Sequence, residues 1–231
     1  SQFGLKFIYI PAKNKTFQMG GKRSESGQRA NEIIRNIKFS KGFYVASTEL
    51  TRGQFGLSGD LPLTNIAWID VAKFCNLASR NEELNPFYRI TGNTVTGYNQ
   101  NANGYRLITE AEWEFLARRY DRATQTKFVW GDTEKVPVGA GNLGDQNSRA
   151  ALSMFIPGYN DNFKELAPVR SFAPNVEELY DLVGNASEWV NDSYIINPNT
   201  RGEIEIDPLG GPPQSKMKTV KGSSFMSASM S

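Results

Sequence analysis

Thr109 and Glu112 stand three residues apart at the head of Thr109-Glu110-Ala111-Glu112-Trp113-Glu114-Phe115-Leu116-Ala117-Arg118-Arg119, and no other stretch restricts the fold as much. In a capping box of this form, each side chain accepts a backbone N–H that a helix start leaves unpaired. Behind the cap, Trp113, Leu116, Ala117 and Tyr120 recur at helical spacing and predict one apolar stripe. Glu110, Glu112 and Glu114 fall in the early turns, and Arg118 and Arg119 in the last, as the helix dipole favours. The rest of the chain has to pack against that helix.

Composition narrows the function classes. A chain of 231 residues can bury a substantial core, and residues 1–231 read as one domain. With 39% hydrophobic, 12% aromatic and 22% charged residues it has the make-up of a globular protein. A net charge of +2 without a Lys/Arg run points away from a nucleic-acid partner. No apolar stretch approaches the roughly 20 residues of a transmembrane segment. The sequence opens at Ser1 rather than Met, so the lack of a leader there carries no information about compartment. Cys75 is the single cysteine, which excludes an intrachain disulfide, and there is no histidine. His-ligated zinc, facial-triad iron and every His-based catalytic triad are therefore excluded within these residues.

Taken in order, residues 3–10 and 17–21 read as strands, 22–32 as a polar loop, and 37–45 as a third strand. Thr51 is placed to cap a short helix containing Gln54 and Phe55. Asp70 is placed to cap a second main helix whose apolar face is Val71, Phe74, Cys75 and Ala78. On that stripe Cys75 reads as a buried structural thiol rather than a reactive one. Residues 85–103 predict a hairpin turning at Gly92-Asn93. About sixty residues after the capped helix show little periodicity and are rich in Gly, Asn, Asp and Pro. So long an irregular stretch needs another source of cohesion, and bound ions are one. Residues 207–213 read as a stiff turn and 219–225 as a last strand.

Gly104-Tyr105-Arg106-Leu107-x-Thr109-Glu110-Ala111-Glu112-Trp113-Glu114-Phe115-x-Ala117-Arg118 resembles the signature of the formylglycine-generating enzyme (sulfatase-modifying factor) family. Further likenesses follow in the family's order: Phe17-x-Met19-Gly20, Glu49-Leu50-Thr51-x-x-Gln54-Phe55, the run from Asn65 to Cys75, Gly184-Asn185-Ala186-x-Glu188-Trp189 and Lys221-Gly222-Ser223-Ser224-Phe225. The resemblance implies an α+β, C-type-lectin-like fold with two main helices, small twisted antiparallel sheets and much irregular loop. Ile108 replaces the family's usual Pro, a change expected to be tolerated just before the cap. The family pattern continues past Ser231 with an Arg-rich strand, so these residues imply a sheet edge left open.

The resemblance also implies sites. It places a first calcium on Asn142, Leu143, Asp161 and Phe163, with Asn and Asp binding by side chain and the other two by carbonyl. A second falls on Asp181, Gly184, Ala186 and Glu188. Calcium takes six to eight oxygens of these kinds, which irregular Asn/Asp/Gly loops supply. The family's enzymes oxidise a substrate cysteine with copper held by two cysteines, because thiolates select Cu(I). Ser227 stands where the first of those falls, Cys75 belongs to a helix elsewhere, and copper is not expected. No catalytic residue is assigned. The C-terminal run Phe225, Met226, Ser227, Ala228, Ser229, Met230 and Ser231 is the candidate ligand-binding surface, with Met and Phe supplying adaptable apolar contact.

The expected function is a non-catalytic, calcium-stabilised lectin-like binding or accessory protein. It would present a cleft to a protein or peptide ligand outside the cytoplasm, in the periplasm, at the cell surface or in secretion. Two alternatives stand beside it. One is a diversity-generating variable ligand-binding protein of the same fold. The other is a metal-dependent oxidase or sulfatase-modifying enzyme completed by residues beyond Ser231.

Overall fold

The computed structural model describes residues 1–25, 28–29, 32–120, 122–148, 152–195 and 202–228. Its elements, in chain order, are β1 (Phe7–Ile10), β2 (Thr16–Met19), β3 (Arg35–Lys38), β4 (Phe43–Ala46), α1 (Trp68–Asn81), β5 (Tyr88–Thr91), β6 (Thr94–Tyr98), α2 (Glu110–Arg118), β7 (Glu188–Ser193), β8 (Ile204–Ile206) and β9 (Lys218–Lys221).

The capping box at α2 forms as the sequence predicts. Thr109 Oγ1 accepts from Glu112 N at 3.1 Å, and Glu112 Oε2 accepts from Thr109 N at 2.8 Å. A third side chain joins from far along the chain, because Asp192 Oδ2 accepts from Glu110 N at 2.8 Å. Asp192 lies on β7, so the helix start is tied to that strand. The expectation of a single apolar stripe is corrected here. Ala111, Phe115, Glu112 and Glu114 are buried together with Trp113, Leu116 and Ala117. The helix runs through the interior, and its buried charges are paired. Glu112 forms a bidentate pair with Arg106 at 2.6 and 2.7 Å. Glu114 meets Arg118 at 2.8 Å and Lys221 at 3.3 Å.

Four small sheets surround the two helices. β1 and β4 form an antiparallel ribbon with Ile8 opposite Val45. β2 pairs antiparallel with β3, and β3 pairs parallel with β8. β5 and β6 form the expected hairpin, and β7 and β9 a second antiparallel ribbon with Trp189 opposite Val220. Ile10, Phe17, Ile37, Phe39 and Val45 close over Phe115 and Leu116 of α2. Within that cluster the Phe115 ring meets Phe17 at 5.4 Å and Phe39 at 5.1 Å, distances at which aromatic pairs add to area burial. A second cluster packs Trp68, Ala72 and Cys75 of α1 against Phe87, Tyr88, Val95 and Leu107.

Several local expectations are revised. The first strand is shorter than residues 3–10. Residues 37–45 form two strands rather than one, because Phe39 exchanges backbone bonds with Asn14 and Lys15 and the chain then turns at Ser40, whose N–H is held by Asp207 at 2.9 Å. Asp70 does not cap α1. The N-cap is Ala67, without a side-chain cap, and Asp70 lies inside the first turn. Trp68 is drawn into the helix by tertiary contacts: its indole N–H donates to Val190 O at 2.7 Å and its ring meets Tyr88 edge-on. Thr51 and Gln54 make the reciprocal bonds of a cap, at 3.2 and 3.0 Å, yet only a turn follows before Gly56 at φ +97°. The last strand stops at Lys221, and β8 has no counterpart among the sequence expectations. Between α2 and β7 the described residues contain no helix and no named strand.

Candidate functional site

The irregular stretch is held together by side chains bonded to backbone. Asp145 is fully buried and accepts from the N–H groups of Asn147, Ser148 and Asp161 at 2.8, 3.1 and 2.9 Å. Asp161 in turn accepts from Leu143 N at 2.8 Å on one oxygen and from Phe163 N at 2.9 Å on the other. Asn142, Leu143, Asp161 and Phe163, the expected first calcium set, are therefore brought into one loop cluster. Asn142 donates its amide to Glu165 O at 2.8 Å and to Asn185 Oδ1 at 3.0 Å. Its Oδ1 is buried and has no hydrogen-bond partner.

The second set lies back to back with the first. Asn142 bridges to Gly184 in parallel, and Asn185 N donates to Asn142 O at 2.7 Å. The approach is so close that a Cβ on Gly184, which has φ +77°, would stand 1.8 Å from Asn142 O; only glycine fits. Asp181 has φ +59° and accepts from Arg170 N at 3.0 Å through Oδ2, while its Oδ1 is buried and unpartnered. Glu188 accepts from the Trp113 indole at 2.6 Å. Among the described residues, no hydrogen bond reaches the carbonyl oxygens of Leu143, Phe163, Gly184 or Ala186.

Electrostatics sharpen the picture. Burial, above all, pushes Glu188 up to about 7; the Trp113 bond opposes this and Asp181 adds to it. Asp181 is raised by burial as well. Glu49 is pushed up to about 9 by burial and then by Glu188, against the bonds it accepts from Ala186 N at 2.8 Å and Asn185 Nδ2 at 2.7 Å. Buried carboxylates bonded only to neutral donors resist ionisation unless a cation stands nearby. Among the described residues no three His, Cys, Asp or Glu side chains converge as a metal site by themselves. A cation here would take most of its oxygens from amides and peptide carbonyls, the donor set of a hard ion such as Ca²⁺.

The hub of the site is Asn185, which sequence reasoning did not assign to it. Its Oδ1 accepts from Asn142 and from Ala167 N at 2.9 Å, its Nδ2 donates to Glu49 and Ala167 O, and its carbonyl accepts from Phe225 N at 2.9 Å. The Gly184-Asn185 pair signals a left-handed turn in the sequence. The partners, up to 136 residues away, leave no local trace.

The C-terminal run is a turn rather than the end of a strand. Ser227 N donates to Ser224 O at 2.9 Å, Ser224 N donates to Ser227 Oγ at 3.0 Å, and the two hydroxyl oxygens lie 3.4 Å apart. Gly144 N donates to Ser227 O at 3.0 Å. Met226 is 56% exposed. Ser229, Met230 and Ser231 lie outside the described residues. A cleft of about 750 Å³ beside α2 reaches Ser223, and an apolar pocket of about 260 Å³ reaches Ser187 and Glu188. Residues 225–228 line neither of these cavities; Met226 is the exposed side chain of the turn, and Phe225, Ser227 and Ala228 are half-buried. Cys75 is buried in the α1 cluster, where desolvation pushes its thiol up to about 12.

Known proteins resemble the chain at several levels. The family model described as the sulfatase-modifying factor enzyme 1-like domain matches residues 56–231. The chaperone protein LppX of Paenibacillus barcinonensis is 27% identical over 67% of the chain and 63% of its own length. The formylglycine-generating enzyme of Bos taurus is 31% identical over 72% of the chain and 36% of its own length. The chain thus spans less than two thirds of either relative. Among solved structures, Treponema denticola variable protein 1 superposes with a TM-score of 0.67 at 20% identity, covering 96% of this chain and 84% of that one.

Proposed function

The chain belongs to the sulfatase-modifying factor enzyme 1-like domain family, and from that premise we propose that it is a calcium-stabilised, non-catalytic binding module for a protein or peptide ligand. One observation carries the calcium reading. Tyr98 Oη, Asn142 Oδ1 and Asp181 Oδ1 are the buried side-chain atoms without a hydrogen-bond partner among the described residues. Two of the three fall on the two expected calcium sets, one in each. Leaving such an oxygen buried and unpaired costs about 1–3 kcal/mol, so both positions favour a bound cation. The free carbonyls of Leu143, Phe163, Gly184 and Ala186 complete oxygen sets of the right chemistry.

The non-catalytic reading rests on side-chain chemistry. Ser227 offers a hydroxyl already used to close its own turn, and a hydroxyl is a hard ligand where Cu(I) selects soft sulfur. The chain's one thiol is buried elsewhere. The exposed turn around Met226 supplies the contact surface, and the chaperone name carried by LppX is in keeping with a protein partner. A location outside the cytoplasm belongs to this proposal, since millimolar calcium would keep weak sites filled. No described helix is long and apolar enough to cross a membrane.

Thermal unfolding in excess calcium and in excess chelator tests the proposal. At a hundred times its dissociation constant, a ligand held only by the folded state adds about 2.7 kcal/mol. For a chain of this size that is a melting shift of roughly 5–10 °C. Identical melting curves would end the calcium reading. Stoichiometric copper with oxygen consumption on a cysteine-containing peptide would end the non-catalytic one.

A further inference from the structure

We propose that calcium in the paired loops orders the C-terminal turn, so that the ligand-facing surface forms only when the loops are loaded. The inference rests on the calcium reading above and extends it from stability to the control of binding. Its basis is a pair of backbone hydrogen bonds. Phe225 N donates to the carbonyl of Asn185 at 2.9 Å, and Asn185 is the residue between Gly184 and Ala186. Gly144 N donates to the carbonyl of Ser227 at 3.0 Å, and Gly144 directly follows Leu143. Each end of the turn is thus bonded to a residue adjoining one that contributes a carbonyl to a calcium set.

Among the described residues, these two bonds are the backbone links between the loops and the turn. Its own bonds run between Ser224, Met226 and Ser227 and fix its shape, not its position. Met226 is mostly exposed. Gly144 sits under the turn so closely that a Cβ there would meet Met226 C and O at 3.2 Å. The carbonyl of Gly144 accepts from Ile156 N at 2.7 Å, so this one residue joins segment 152–156 to the turn. Gly144 and Asn185 are positioning residues in this scheme: their backbone atoms hold the turn without touching the ligand.

Calcium bound there would be held by the Leu143, Gly184 and Ala186 carbonyls; the first shares its peptide unit with Gly144 N, and the other two flank the peptide unit that carries the Asn185 carbonyl. Without the ion, buried unpaired oxygens at Asn142 and Asp181 favour loop openings that solvate them. Each such opening releases the turn.

Amide hydrogen exchange read residue by residue, in calcium and in EGTA, decides the matter, with calcium binding measured in parallel by titration calorimetry. If the Phe225 amide opens only through the metal-free state, its exchange slows about a hundredfold at calcium a hundred times its dissociation constant. The α2 amides serve as reference, and the effect at Phe225 must exceed theirs. Calcium binding with unchanged Phe225 exchange overturns the coupling while leaving the calcium reading intact; no calcium binding overturns both. Gly144→Ala supplies the second arm. It keeps calcium affinity within about threefold, because no expected ligand is altered, but it loses most of the calcium-dependent protection at Phe225. Full protection in that variant counts against the Gly144 link. Should the variant not fold, the wild-type comparison still decides.

Discussion

The helix α2 and the paired loops at Asn142 and Gly184 bury polar groups to a similar degree, but they settle those groups differently. Around α2 every buried carboxylate of the helix finds a cation of the same chain: Glu112 has Arg106, and Glu114 has Arg118 and Lys221. In the loop region Glu49, Asp181 and Glu188 are also buried or nearly so, yet none forms an ion pair with Lys or Arg among the described residues. One region is electrostatically complete in itself. The other leaves its buried carboxylates without a Lys or Arg ion pair among the described residues.

Substitutions can break that contrast. The largest effect is expected for Gly184→Ala, whose Cβ would overlap Asn142 O at 1.8 Å and whose backbone sits in the left-handed region. The two loops cannot stay bridged, and a loss beyond about 4 kcal/mol is expected in denaturant unfolding. Arg106→Met comes next, because it strands Glu112 as an unpaired buried charge at a cost of about 3–5 kcal/mol. If the two regions are independent, this variant keeps the full calcium-dependent gain in melting temperature. A reduced gain would show that the helix and the loops share one cation-dependent unit.

Dependence on pH sharpens the comparison. Burial raises Asp192 from 3.8 to about 7, so its stabilising contribution is present below about 3.8 and is lost as pH rises towards 7. Glu188 and Glu49 have the same sign in calcium-free protein, over windows reaching about 7 and about 9. Calcium should abolish the loop component by favouring the ionised carboxylates, and leave the Asp192 component untouched. Unfolding free energies at pH 5 and pH 8, with and without calcium, separate the two. Asp192→Asn, whose side-chain oxygen can still accept from Glu110 N, should flatten the residual slope. The smallest effect is that of Ser227→Ala, which removes the hydroxyl's bonds to Ser224 N and Oγ and costs about 1 kcal/mol, with no change in the calcium-dependent gain.

What the sequence disclosed follows the range of the interactions involved. The cap at Thr109 and the hairpin at Gly92-Asn93 are decided within a few residues, and both stand where they were expected. The start of α1 was misplaced because it depends on Trp68 reaching Val190, 122 residues away. All-round burial of α2 was missed because an alternating pattern of Glu and apolar residues looks amphipathic until Arg106, Gly20 and Lys221 close over the carboxylates. At the site, Asn/Asp/Gly spacing alone is a weak signal, and family likeness supplied the positions. The shared wall between the two loops is visible only in three dimensions.

The hydrogen bonds that seat the C-terminal turn have a consequence for how this surface can change over time. The two anchors are main-chain atoms, Phe225 N and Ser227 O, and every residue type brings the carbonyl and all but proline the N–H. The exposed side chain at position 226 can therefore change to any type but proline without removing either anchor. A turn gripped in this way can change the chemistry of its exposed side chain while its backbone anchors stay unaltered.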